Sequence, residues 1–468
     1  MFLRLAWMGC ALMLLVACAS VTTPPLDPPL PIAWRNAPAL APGAAAADLH
    51  GWWRSFDDDE LDALIDRALR NNLTVAEALE HLRAAREAQH HSQDRFLPNL
   101  HARTDDAIDP DASASFFIAG FDATWELGLF GARQGARQMG EGELATSAAL
   151  LQAARVSLVA EVTRQWILLR TAQAQESLLQ QVLDGQQQRL AIVRQRLQLQ
   201  LASAQDVASA QVALAQAQAA LSEPRQAINA SVQQLAMLLG QPTPDPQWLN
   251  GGAQPHLGDW QLASAPADLL RTRPEIASAE AEVLRAAGQM NLSRAQMYPN
   301  LALGAALQYS TDITSYRRTR TRAIFSSGPI IDIPLFDWGN RVSAAHASAH
   351  QLKAAVYAYR QAVLQGVSEV ETAMGDLQQL YLREQALTLA SQASQQAELA
   401  VRTRVALRLD SPLQLQQSQL EDRQSQLELV AARAARSLAY VSLYKALGGA
   451  PLDGPHTPDE HASARGAR

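Results

Sequence analysis

Cysteine is nearly absent from this chain: of 468 residues only Cys10 and Cys18 are thiols, and both lie within the first twenty positions. The remainder therefore has no disulfide, no thiolate metal site and no cysteine nucleophile. Aromatic residues are scarce as well, at 6%, although hydrophobic residues make up 48%. Much of that apolar content is alanine, with abundant glutamine beside it. The mixture favours long, closely packed helices, because both residues fit helices and alanine lets backbones approach. Neither sign of charge dominates. A formal −7 leaves no basic footprint for nucleic acid and no acidic tail. Beyond the N-terminus no apolar run approaches ~18 residues, so any membrane crossing would fall to β-strands. Of the ten histidines, only His90-His91 and the i,i+4 pair His346/His350 have suggestive spacing. Neither has further ligands nearby, so no metal or other cofactor is expected.

The N-terminus has the pattern of a targeting signal. Arg4 precedes an apolar stretch from Leu5 to Ala17 that is too short to span a bilayer stably. It ends Leu15-Val16-Ala17-Cys18, which looks like a lipobox, and a Pro-rich tether runs from Thr22 to Gly43. Cys18 is the expected lipid anchor. Ala19 in place of aspartate suggests, by resemblance to bacterial lipoproteins, sorting to the outer membrane.

Internal similarity organises the rest. Pro98-Asn99-Leu100 recurs as Pro299-Asn300-Leu301, and Phe130-Gly131-Ala132-Arg133 recurs as Trp338-Gly339-Asn340-Arg341 (341 − 133 = 208). Arg196 matches Arg404, Ser203 matches Ser411, and Leu239-Gly240 matches Leu447-Gly448 at the same shift. Seven extra residues in the second half are placed in a loop between strands. Two repeats this long imply a duplicated supersecondary unit. Each half predicts a helix (about Glu60 to Arg95, and Ala267 to Gln296), two strands, and a very long helical stretch broken once. The repeats divide the chain into 1–17 signal peptide, 18–50 lipidated tether, 51–240 first repeat, 241–265 linker, 266–449 second repeat and 450–468 disordered tail.

The long helices carry a seam spaced by threes and fours: Leu352, Val356, Tyr359, Val363, Val367, Val370, Met374, Leu377 and Tyr381. That is coiled-coil spacing. The first half answers with Val159, Val162, Trp166 and Leu169. In the first strand region, Phe117, Ala119, Phe121, Ala123, Trp125 and Leu127 alternate with a largely polar set, over a length that suits a transmembrane barrel strand. Leu301 to Tyr309 alternates in the same way. A half-buried soluble sheet would also fit, provided something covered the apolar face.

Several stretches resemble the outer-membrane factor family, the TolC-like ducts, and in particular its lipoprotein (NodT/OprM-like) branch paired with resistance-nodulation-division pumps. They are Trp52-Trp53-Arg54-Ser55-Phe56, Leu61-Asp62-Ala63-Leu64-Ile65, Trp125-Glu126-Leu127-Gly128-Leu129-Phe130-Gly131, Arg271-Thr272-Arg273-Pro274-Glu275-Ile276 and Pro334-Leu335-Phe336-Asp337-Trp338-Gly339. The likeness spans about residues 50 to 449. It implies a mixed α and β fold: a trimeric twelve-stranded outer-membrane β-barrel continued by a long α-helical coiled-coil barrel, built from two tandem repeats per chain. It also implies a homotrimer whose helical tips meet a periplasmic adaptor (membrane fusion) protein and an inner-membrane pump. Those tips fall near residues 201–203 and 409–411. Arg196, Ser203, Arg404 and Ser411 keep the family pattern there, whereas Gln200 and Arg408 stand where the family commonly has glycine. Asp206, Arg404, Arg408 and Asp410 are candidate gate contacts, because charges cluster at the tips.

The function expected from this is a passive, non-enzymatic conduit that carries small molecules from the periplasm to the outside. Protein export through the same kind of duct, or a lipid-tethered periplasmic coiled-coil scaffold, are the alternatives. Cys18→Ser separates the last of these. Loss of palmitate labelling with retention in the membrane fraction is expected for a lipidated barrel, whereas a scaffold would be released entirely and unchanged labelling would remove the lipid anchor.

Overall fold

The computed structural model describes residues 24–26, 34–36, 49–107, 116–258, 273–312 and 321–449. The signal peptide, Cys18, most of the tether, residues 259–272 and the 450–468 tail lie outside the described residues. The chain divides into two compact units, residues 1–29, 79–150 and 275–362 in one, and 30–78, 151–274 and 363–468 in the other. Helices and strands run in the order α1 (Asp59–Asn71), α2 (Leu73–His90), β1 (Asn99–Ala107), β2 (Phe116–Glu126), α3 (Ala132–Gln198), α4 (Ala204–Ala220), α5 (Ser222–Leu238), α6 (Pro274–Ala295), β3 (Asn300–Asp312), β4 (Thr321–Asp332), α7 (Asn340–Ala406) and α8 (Pro412–Ala446). Among the described residues, no helix is long and apolar enough to cross a membrane.

The first unit is built around one antiparallel sheet in the order β1-β2-β3-β4. Its register aligns the alternation of every strand. Ala102 pairs with Phe121, Phe121 with Leu307, and Leu307 with Phe325. Side chains alternate faces along a strand, so these residues share a face with Leu100, Trp125, Leu303, Tyr309 and Ile331. The opposite face carries His101, Arg103, Asp122, Thr124, Gln308, Ser310 and Arg322, with Ile118, Ile324 and Ile330 among them. The apolar face is not covered: Phe121 is 51% exposed and Phe325 70%.

Beside the sheet, α3 and α6 approach closely through glycine. A Cβ on Gly288 would stand 2.7 Å from the Gly135 carbonyl oxygen, and one on Gly142 2.9 Å from that of Ala281. Buried Asn291 donates to Gln138 across the same pair (2.7 Å).

In the second unit the stacked rings of Trp52 and Tyr444 pack with Tyr440 (centroids 5.5 Å and 5.8 Å from Trp52). Tyr440 Oη donates to the Trp52 carbonyl (2.8 Å), and Trp52 Nε1 to that of Gly449 (3.1 Å). Buried Arg170 donates to Glu60 and to the Asn250 carbonyl, both at 2.6 Å, while lying over the Trp166 ring. Such a buried guanidinium is tolerated because its donors are engaged. Part of the tether is also fixed: the Arg35 and Asn36 amides donate to the Glu371 carboxylate (2.6 and 3.0 Å). The expected seam is buried at Leu352, Tyr359, Val363, Val370, Met374 and Leu377, and half-buried at Val356, Val367 and Tyr381.

The elements match in pairs. Helices α3 and α7 both have 67 residues. Positive φ occurs at Phe130 and Trp338, Gly131 and Gly339, Gln200 and Arg408, and Gly240 and Gly448, each pair 208 positions apart.

Three sequence expectations differ from this architecture. The helix expected over Glu60 to Arg95 is two helices, because Asn72 turns extended (ψ 126). Its Oδ1 caps the Val75 amide, while its Nδ2 donates to the Leu238 carbonyl. The helix expected from Ala267 begins, within the described residues, at Pro274, a residue suited to the first turn. The first long stretch breaks a second time at Leu221, between α4 and α5. Pro224 lacks the N–H that would bond Ala220, and its ring opposes that carbonyl. The loops between β1 and β2 and between β3 and β4, to which the seven extra residues are assigned, fall at 108–115 and 313–320, outside the described residues. Strand β3 has 13 residues against 9 in β1 and β4 has 12 against 11 in β2, while the step from strand end to glycine (Asp332 to Gly339, Glu126 to Gly131) is two longer.

The glycine contact is testable. Gly288→Leu is expected to lower stability by at least ~1–3 kcal/mol, the usual cost of overpacking, seen as a lower midpoint in thermal unfolding followed by circular dichroism. An unchanged midpoint would mean that α3 and α6 can separate freely.

Candidate functional site

All eight tip residues singled out from the sequence fall on two short turns or on the helix ends that flank them, both in the second unit. Cys18 lies outside the described residues. Helix α3 ends in a left-handed residue, Gln200 (φ 58). The Gln200 amide donates to the Leu197 carbonyl (2.9 Å) and the Leu201 amide to that of Arg196 (2.8 Å). This is the Schellman arrangement that satisfies the last carbonyls of a helix. Ser203 then caps α4. Its Oγ accepts from the Asp206 amide (3.2 Å), while Asp206 Oδ2 accepts from the Ser203 amide (2.7 Å) and hydroxyl (2.8 Å). That reciprocal pair is a capping box.

The second turn repeats the backbone. Arg408 has φ 61, and its amide donates to the Val405 carbonyl (2.9 Å), as Leu409 does to Arg404 (2.8 Å). Ser411 Oγ caps α8 by accepting from the Gln414 amide (3.2 Å). Gln200 and Arg408 therefore take the conformation that glycine would take at no steric cost, at ~1–2 kcal/mol each for an L-residue with a Cβ. Turn geometry survives the loss of glycine; only the side chain differs.

The charges expected to act as gate contacts are mostly engaged within their own turns. The Asp206 carboxyl is held below the usual carboxylate range, first by the Ser203 amide and then by its hydroxyl. Its capping contribution is thus present at neutral pH and is lost as pH falls through that lowered value. Arg404 forks onto Asp410, with Nε–Oδ2 at 3.0 Å and Nη2–Oδ1 at 3.2 Å. Arg196 donates to the Leu201 carbonyl (3.3 Å). Arg408 makes no ion pair among the described residues.

Sequence reasoning missed the apolar part of the site. Leu199, Leu201, Leu407 and Leu409 are 64–69% exposed and flank the two left-handed residues. Their L-x-L spacing was the available signal. It also missed the packing behind the turns. Leu183, Ala217 and Leu221 join α3 to α4 and to the break that follows it as an apolar cluster. Between the hairpins, Gln416 Nε2 on α8 donates to Gln188 Oε1 on α3 (2.7 Å), and Leu420 lies beside Gly185.

Replacing either strained residue with glycine should relax its turn. Gln200→Gly and Arg408→Gly are each expected to stabilise the turn by ~1 kcal/mol, about a fivefold factor. The readout is slower hydrogen exchange of the Leu201 or Leu409 amide. Faster exchange in both would mean that the side chains, not the backbone, hold the turns.

Against known proteins, the family described as outer membrane efflux protein matches residues 64–241 and 265–449. The pyoverdine export outer membrane protein OpmQ of Pseudomonas aeruginosa is 28% identical over 465 residues, covering 94% of this chain and 95% of its own. Outer membrane protein OprJ of the same organism is 29% identical over 446 residues, covering 90% and 91%. The solved structure of the outer-membrane channel OprN superposes with a TM-score of 0.74 at 25% identity, covering 92% of this chain and 100% of that one. With the match extending over both long helical hairpins and the strands between them, the chain belongs to the outer membrane efflux protein family.

Proposed function

We propose that this outer-membrane efflux channel subunit works as a homotrimer in which each chain adds β1–β4 to one twelve-stranded barrel. Its long hairpins would then form a helical conduit across the periplasm. The observation that carries this is the apolar face shared by all four strands and left uncovered by the chain's own helices. Such a face suits hydrocarbon, and the unpaired outer edges of β1 and β4 suit a neighbouring copy. Strand number favours three copies. Eight strands enclose an interior about filled by side chains, whereas twelve leave room for a lumen.

The matched elements 208 residues apart support two duplicated units, roughly 51–240 and 266–449, which would give the trimer pseudo-six-fold tips. Cys18, after removal of residues 1–17, would supply a lipid anchor through the 18–50 tether. The partners are a periplasmic adaptor at the tips and an inner-membrane pump that supplies the energy, with no chemistry performed by the duct. A relative named for pyoverdine export supports small molecules as the cargo class.

Two neighbouring residues on opposite faces test the barrel. Leu307→Arg places a charge on the face assigned to lipid, at ~2–4 kcal/mol near the bilayer midplane. Gln308→Arg places it on the other face. Outer-membrane fractionation and native mass measurement are expected to show loss of membrane-inserted trimer for Leu307→Arg and retention for Gln308→Arg. Equal behaviour of the two variants would overturn the assignment of faces.

A further inference from the structure

The two turns share a backbone but not a charge. From Arg196 to Asp206 the first carries one cation and one anion. From Arg404 to Gln414 the second carries Arg404, Arg408 and Asp410, leaving one positive charge in excess. That excess resides on Arg408. Asp410 is taken by Arg404 at 3.0 Å, and Arg408 is exposed and has no ion pair among the described residues. It holds a left-handed backbone (φ 61) that costs energy glycine would not incur. Exposed Leu407 and Leu409 stand on either side of it. Strain retained at an exposed, unpaired residue marks a place where the side chain itself is used.

We propose that Arg408 is a specificity residue of the tip surface, recognising a carboxylate set in an apolar surface of the periplasmic adaptor. The Gln200 turn, in which Arg196 and Asp206 balance, takes a hydrogen-bonding but uncharged counterpart. This rests on the adaptor-coupled duct described above and adds the chemistry of the contact. Charge complementarity sets the acidic partner residue. The flanking leucines set its kind: they need an apolar counter-surface, which a protein offers and a cell-wall carboxylate does not. The two turns are then unequal docking sites, one dependent on charge and one not.

The experiment places a photo-crosslinking residue at position 409 or, separately, at 201 of the full chain in living cells, with variants compared at equal outer-membrane levels. A periplasmic adaptor protein is expected to be captured at both positions. At 409, Arg408→Glu should lower the yield about tenfold, Arg408→Gly should lower it although the backbone is relaxed, and Arg408→Lys should stay within about twofold. Capture at 201 should not respond to Arg408→Glu. Replacing an acidic residue of the captured surface with lysine should restore capture by Arg408→Glu. Yields at 409 insensitive to Arg408→Glu would overturn the inference while leaving the adaptor-coupled duct standing. Capture of only neighbouring copies or cell-wall material by the unsubstituted turns would overturn the adaptor-coupled duct itself, and this inference with it.

Discussion

An antiparallel sheet with one apolar face and two open edges cannot be satisfied by the chain that makes it. Here that face carries Leu100 and Ala102 on β1, Phe121 and Trp125 on β2, Leu303 and Leu307 on β3, and Phe325 and Ile331 on β4. In water its exposure would be an aggregation hazard, and the edges would be templates for pairing with any other chain. Both demands are met together if the edges close onto copies and the face meets lipid. The rest of the architecture depends on this constraint. The helices are free to spend their apolar stripes on one another, which is why Val159, Val162, Trp166 and Leu169 are fully buried while the strand residues are not. Glycines such as Gly135 and Gly288 bring two of these helices within backbone contact beside the sheet.

The hairpin turns solve a different problem. Reversing a long helix in five residues requires satisfied carbonyls at its end, one left-handed residue, and a cap for the next helix. Backbone bonds and two serines provide nearly all of this, so the side chains at the left-handed positions have no structural duty. They are available for recognition. The polar glutamine contact between α3 and α8 contrasts with the leucine-rich packing within the first hairpin. Polar groups that can exchange a protein partner for water lose little when separated.

Much of this was legible in the sequence because the signals were periodic and long. The 208-residue spacing marked both long helices, and the alternation from Phe117 to Trp125 marked a face that the register preserves. Seam positions such as Val363 and Val370 are buried as their spacing required. What escaped was decided by tertiary partners. Asn72 breaks a continuous helical pattern because its amide reaches Leu238, far along the chain. The conformation of Gln200 and Arg408 could not be inferred from residue preference, since both residues ordinarily avoid it; the hydrogen bonds on either side enforce it. The Ser203–Asp206 capping box, by contrast, was readable as Ser-x-x-Asp.

The equal length of α3 and α7 makes the pair a matched ruler. Each residue in a helix adds 1.5 Å and rotates the chain beyond it by about 100°. A single deletion in one of the two would draw back one turn and swing its leucines and its left-handed residue to another side, while its counterpart stayed in place. Change in the reach of this protein is therefore confined to steps made twice, once in each half, and in whole turns of helix.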